Sequence, residues 1–294
     1  MGFEPGKRVV ELNSKLKAFM EEHNREALTD FHGLSPAQMH RILHFPFDSP
    51  ELVGFADRFD PAPSAAILTL FGLLMEAIGT GGMKPTAKGN LPQKFCRDAA
   101  VDYWGEETYR HNTRFGGINK EEDFFELHVT RVTAQLGGLV RKYKGRFILG
   151  RDCRNLLSKD GLSAVYPRLF RAYTRRFNWA YRDRYPQIPF IQQSFLFSLY
   201  LLSRYGNEWR SQSFYEDCFL QAFPMVVDEA EPVWVFTPEQ EIRSCYTLRT
   251  LMRFAEFFGL VAMEEVDAEK PFARKHRVKK LPLLDQVVRF YLKA

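Results

Sequence analysis

A chain of 294 residues with 45% hydrophobic and 26% charged side chains has the composition of a folded globular protein of about two domains, not of a disordered one. The longest uncharged run, Tyr185 to Ser203, carries two prolines, three glutamines and three serines, so it reads as buried helix rather than as a membrane span. Four scattered cysteines, Cys96, Cys153, Cys218 and Cys245, form no C-x-x-C pair, which argues against a disulfide framework or zinc cluster.

The N-terminus, MGFEPGKRVVELNSKLK, shows no apolar signal region and no Ser/Thr placed for myristoylation, so a cytoplasmic protein is expected. Residues 7–28 read as a charged amphipathic helix. A short helix follows, capped by Ser35 with Pro36 in its first position. Residues 45–63 hold four prolines and read as a packed linker. The next helix, over Ala65–Ile78, is apolar on all sides and stops at Gly79.

The stretch AIGTGGMKPTAKGNLPQKF (Ala77–Phe95) looks like a phosphate loop. No glycine precedes Lys84 as G-x-x-x-x-G-K-[ST] requires, G-x-G-x-x-G fails at the same lysine, and both motifs should follow a strand rather than a helix. The glycines therefore read as corners: an extended stretch at Met83–Thr86, then a helix over 91–103 capped by Asn90. Gly105 to Lys120 reads as a turn-rich loop. A third helix starts at Glu121, Glu122 and Asp123, with Phe125, Val129, Val132 and Leu136 on one face, and ends at Gly137 and Gly138. LVRKYKGRFIL (Leu139–Leu149) then reads as a hairpin about a Lys144-Gly145 turn.

The last third repeats this order. Phe195–Leu202 with Gly206 parallels Leu68–Gly79, and Ser211–Phe223 parallels the 91–103 helix. Thr237-Pro238-Glu239 opens a helix that reaches Phe258, and Gly259-Leu260-Val261 repeats Gly138-Leu139-Val140 before a second hairpin. Helix, short strand, helix, helix, hairpin resembles the winged helix-turn-helix family, here in tandem. TAKGNLPQKF (Thr86–Phe95) is also similar to a segment of an uncharacterised bacterial family, which implies no function. The expected fold is thus α+β and predominantly α. An N-terminal helical arm and linker spans 1–63, a first winged-helix-like module 64–158, a connecting helix 159–186 and a second module 187–294.

Charge is distributed unevenly. Between Gly137 and Arg184 stand thirteen Lys/Arg against three Asp/Glu, within a chain whose net charge is only +5. A helix from Pro167 has Leu169, Phe170, Tyr173, Phe177, Ala180 and Tyr181 on one face. Arg168, Arg171, Arg175 and Arg182 then fall within an arc of roughly 60° on the opposite side. KPFARKHRVKK (Lys270–Lys280) is a second basic stretch, in the second wing. Basic wings and an arginine stripe suit contact with nucleic-acid phosphates. The candidate residues are Arg141, Lys142, Lys144 and Arg146 in the first wing, Arg168, Arg171 and Arg175 on the connecting helix, and Lys275, Arg277, Lys279 and Lys280 in the second wing. Acids at the starts of the two third helices, Glu121, Glu122, Asp123 and Glu126 in one and Glu239 and Glu241 in the other, speak against reading of base edges. Arg243, Arg249 and Arg253, further along the second of them, offset this in part.

Other chemistries find little support. His40 and His44 have the i, i+4 spacing of metal ligands, with His23 and His32 near in sequence, but no further ligand stands at a recognisable spacing. Glu126 and His128 are two apart on a helix and cannot face each other. The ring-rich FNWAYRDRYPQIPF (Phe177–Phe190) reads as core rather than as a base-stacking platform. No cofactor or metal is expected. The leading function is nucleic-acid binding through the backbone. A protein-interaction module meeting an acidic partner is the alternative, and an enzyme with scattered catalytic groups the third.

Overall fold

The computed structural model describes residues 5–230, 236–266 and 275–292. Met1-Gly2, and Lys270 to Arg274 of the second basic stretch, lie outside the described residues. The chain is α+β and predominantly α: helices carry most of the structure, and the strands form three small antiparallel sheets. No helix among the described residues is long and apolar enough to cross a membrane.

Helix α1 spans Pro5–His23 and α2 Pro36–His44, the latter opened by a full capping box between Ser35 and Gln38. Strand β1 (Val53–Phe55) lies inside the proline-rich segment and pairs with β7 (Val288–Phe290) near the other end of the chain, Val53 opposite Phe290. That pairing joins segments too distant for any local pattern to announce. The first helix of the next run, α3 (Ala66–Ile78), is buried on nearly every side and stops at Gly79, whose φ of 51° is open to glycine. Helix α4 runs Gln93–Trp104 with Pro92 at its cap, and Asn90 does not cap it: the Asn90 amide donates instead to Glu122 at 3.1 Å. The expected loop from Gly105 contains a further helix, α5 (Glu106–Thr113), with glutamates in its first turn and Arg110 and His111 in its last, which suits the helix dipole.

After a 3-10 turn at Glu121–Asp123 comes α6 (Phe125–Leu136), then the hairpin of β2 (Val140–Tyr143) and β3 (Arg146–Leu149). Lys144 and Gly145 both have positive φ, 46° and 71°, the twist a two-residue hairpin turn demands. Met83 adds a third, one-residue rung by exchanging both backbone bonds with Phe147.

Helix α7 (Arg151–Asp160) and a 3-10 turn lead to α8 (Tyr166–Arg175). Helix α8 ends at Arg175, short of the expected length, so Arg182 is not on its face. Helices α9 (Pro189–Gln193) and α10 (Phe195–Tyr205), strand β4 (Arg210–Ser211) and α11 (Gln212–Ala222) follow. Helix α12 (Pro238–Tyr246), with its capping box from Thr237 to Gln240, continues as a ten-residue π-helix, Thr247–Glu256. Strands β5 (Val261–Glu265) and β6 (His276–Lys280) form a sheet with β4, and α13 (Pro282–Val287) leads into β7.

The two runs end their third helices identically. Gly138 and Gly259 have φ of 73° and 69°; Leu139 N donates to Ala134 O and Leu260 N to Ala255 O, each at 2.8 Å. The core is one contiguous cluster among the described residues, and its centre is aromatic. Phe254 of the π-helix meets Phe170 and Tyr173 of α8, Trp179 and Phe195, with ring centroids 4.8 to 6.1 Å apart. Phe177 and Trp179 are buried here, as core.

After α8 the chain makes a strap held from both sides. Asp183 is buried and takes two bonds from the buried Arg249, Nε at 2.6 Å and Nη2 at 3.1 Å. Its neighbours Arg182 and Arg184 both have positive φ, 54° and 68°, which turns them outward while Asp183 points in. Replacing Asp183 with Ala strands the Arg249 charge and should cost about 3 to 5 kcal/mol, a fall in Tm of roughly 6 to 15 °C in thermal denaturation. The paired glycines separate two costs. Gly138→Ala meets open space and should cost only the backbone term, about 1 to 2 kcal/mol. Gly259→Ala drives its Cβ into the Ser64 carbonyl and should cost clearly more; equal losses in urea titrations would refute the difference.

Candidate nucleic-acid interface

The site builds from the end of α6. At Gly137 an added Cβ would lie 3.3 Å from Ala172 Cβ and 3.5 Å from the Arg168 carbonyl, so a side chain here would press α6 slightly away from α8. Arg168, Arg171, Arg175 and Arg176 stand around this crossing and, with Leu136, Gly137 and Ala172, line a groove of about 480 Å³. Arg168, Arg175 and Arg176 are exposed and Arg171 half-buried.

Three of the four guanidinium groups are held without being neutralised. Arg176 donates to the Leu136 carbonyl at 2.8 Å, which places a cation on the C-terminal end of α6. Arg171 lies 4.5 Å over the Phe47 ring and Arg175 lies 5.6 Å over it. No carboxylate among the described residues pairs with any of the four. An arginine against an aromatic face keeps its outward N–H groups free for a phosphate.

The first hairpin leaves from the same floor. Arg141, Lys142, Lys144 and Arg146 are all exposed, again with no carboxylate partner among the described residues. Arg141 and Lys144 both lie 5.5 Å from the exposed Tyr143 ring, Lys142 lies 5.2 Å from Phe147, and Arg146 donates to the Gly82 carbonyl at 2.7 Å.

The second hairpin is different. Arg277 is bonded to Glu264 at 2.5 Å and stacked 4.8 Å over Trp209; Lys280 is mostly buried, 2.9 Å from Asp285. Lys275 is exposed and Lys279 half-buried. The pairing strand β5 carries Glu264 and Glu265, so this sheet is mixed in charge where the first hairpin is wholly basic.

Of the acids at the helix starts, Glu121 and Glu241 are buried, Glu122 and Glu126 half-buried, and Asp123 and Glu239 exposed. Glu121 is fully buried and accepts from Leu91 N at 2.6 Å, Arg131 Nε at 2.6 Å and His128 Nδ1 at 2.7 Å. His128 reaches Tyr181 through its other nitrogen at 3.0 Å, and Arg131 also bonds Gln135. Asp123 caps the amides of Asn119 and Lys120. Seven residues of α6 are buried, so it is an internal helix. In the second run Arg243 is bound by Asp217, Glu239 and Glu216, Arg249 is buried, and Arg253 sits 4.1 Å over the Phe125 ring. None of these three is available to offset the acids, because each already has an internal partner.

Sequence spacing missed Arg176, which shares the groove although it stands off the expected stripe. It also missed Glu121–His128, whose seven-residue separation brings them to the same side of a 3-10–helix junction. The His40 and His44 rings lie 4.6 Å apart, tilted by 42°, and no third His, Cys, Asp or Glu among the described residues joins them.

Burial alone would raise the Glu121 carboxyl, but the bonds from His128, Arg131 and the Leu91 amide outweigh it and hold its pKa below the ordinary 4.5. A lowered carboxyl stabilises the fold above its unfolded pKa and loses that contribution as the pH falls through the folded value. Glu121→Gln should therefore cost roughly 3 kcal/mol at pH 7, and the gap to the parent should close as the pH drops below 4.5, in urea titrations at pH 7, 5 and 3. A gap that persists unchanged to pH 3 would show that charge is not the source.

Residues 64–162, about a third of the chain and covering α3 through α7, match the family described as Y4jL N-terminal domain. No curated protein and no solved structure matches the chain.

Proposed function

We propose that this protein binds nucleic acid through its phosphate backbone, using the arginine groove on α8 and the first hairpin. The observation that carries the reading is the groove itself: four arginines around one hollow, three of them oriented by a ring face or a carbonyl, with no lining carboxylate. In the order of their elements both runs resemble winged-helix modules, and the hairpins take the place of the wings. The helices that read bases in DNA-binding members correspond to α6 and α12 with its π extension. Their internal packing supports contact with phosphates and shape rather than sequence readout. The roles are unequal: the first hairpin and α8 carry the free cations, whereas Arg277 and Lys280 of the second are committed to carboxylates.

A protein partner with an acidic face is the second reading, favoured by the exposed Leu16, Phe19 and Met20 on α1. It requires a stable complex and no salt-steep affinity for DNA.

Fluorescence anisotropy with generic duplex DNA at 50 and 200 mM salt tests the proposal. If four phosphates are neutralised, affinity should fall roughly a hundredfold across that range. The variant Arg168→Glu, Arg171→Glu, Arg175→Glu should bind every sequence more weakly, with a shallower salt dependence and an unchanged Tm. Unaltered affinity in that variant would reduce the groove to a solvated surface, and no binding at 50 mM would leave the acidic protein partner as the reading.

A further inference from the structure

A second hollow, of about 510 Å³, opens on another side of the molecule where α6 faces the π-helix. Tyr103 of α4, Phe125 and Glu126 of α6, and Arg253, Glu256 and Phe257 from the π-helix and its end line it. Four of its lining residues, Tyr103, Phe125, Tyr173 and Phe257, are aromatic, and its two carboxylates form no ion pair with its arginine. Among the described residues Glu256 and Tyr103 make no side-chain hydrogen bond or ion pair, and Glu126 bonds only its own backbone amide and feels Arg253 through charge alone. The guanidinium that could have neutralised a carboxylate is engaged elsewhere: Arg253 stacks on Phe125 at 4.1 Å and donates to the Tyr181 carbonyl at 3.2 Å. Two carboxylates, Glu126 half-buried and Glu256 exposed at the rim, stand against one committed arginine, so the open hollow presents more acid than base beside its aromatic wall.

The backbone there is also unusual. A π-helix of ten residues is far longer than the single-turn bulges common in proteins, and such segments recur at functional sites. Here the wider turn leaves the Arg253 carbonyl to the Tyr173 hydroxyl at 2.6 Å, and both Arg253 and Glu256 line the hollow. A regular α-helix would rotate these residues onto other faces.

We propose that this hollow binds a small organic cation, a protonated amine or amidinium carried on an apolar or aromatic body. The cationic head meets Glu126 and Glu256, ring faces of Tyr103, Phe125 and Phe257 surround it, and the apolar body fills a volume within the range of ligand sites. Burial raises the Glu126 carboxyl above its ordinary value despite the nearby Arg253, and burial raises Glu256 as well; a cation at the hollow would favour the charged form of both. The site uses residues from both runs, so a ligand here would rest on their junction, apart from the arginine groove.

The test is isothermal titration calorimetry of the full chain with tryptamine and benzamidine, against indole-3-propionate and benzoate as anions of similar shape. The cations should bind and the anions should not. The double variant Glu126→Gln, Glu256→Gln should weaken cation binding at least tenfold while leaving duplex DNA affinity unchanged, which separates this site from the groove. Met252→Trp, which fills the hollow without altering either carboxylate, should abolish cation binding and serves if the double variant does not fold. Failure of both cations to bind, equal binding of cations and anions, or undiminished binding in a folded variant would each overturn the proposal.

Discussion

The Asp183–Arg249 ion pair is the constraint on which the arrangement of this protein depends. Burying a carboxylate and a guanidinium is costly, and the cost is recovered only if the geometry is good and every remaining donor is satisfied. The geometry is good: Arg249 makes two bonds to Asp183 and a third to the Pro186 carbonyl at 2.8 Å. Because the pair joins the strap after α8 to the π-helix, it fixes how α8 lies against the second run. Tyr181, two residues earlier, is fastened from the other side by His128 and from above by Arg253. The strap is thus bound to α6 and to the π-helix at once, and α8 is held between them.

That position explains the division of charge. The face of α8 turned inward supplies Phe170 and Tyr173 to the aromatic centre, and its other face carries arginines that meet no acid. The acids of this region are consumed within: Glu121 by Arg131 and His128, Asp183 by Arg249. A basic surface here is therefore a consequence of internal pairing as much as of composition. Had Glu121 faced solvent, it would have lowered the potential near the first hairpin and weakened any phosphate contact.

The tandem order does not make the runs equivalent. Their third helices end in the same turn, yet one hairpin is free and basic while the other is neutralised by its own strand and by Asp285. Both third helices are largely packed inside the protein, and a hollow remains between the start of α6 and the end of the π-helix.

Much of the local structure was legible in the sequence because its causes are local. Ser35-Pro36 and Thr237-Pro238 cap helices through bonds to amides three residues on, and Lys144-Gly145 and the two Gly-Leu-Val turns need only backbone conformation. The apolar face of α8 was likewise plain, and with it the burial of Phe177 and Trp179. What the tertiary structure alone decided is which polar groups are free. Glu121 looked like a repulsive exposed acid, and Arg277 and Lys280 looked like phosphate ligands, until partners brought by the fold took them up. Asp183 meets Arg249 across 66 positions and β1 meets β7 across nearly the whole chain. Capping, turns and periodicity act within a few residues, so a sequence displays them directly. Neutralisation of charge acts through space, and only the folded chain determines who is near whom.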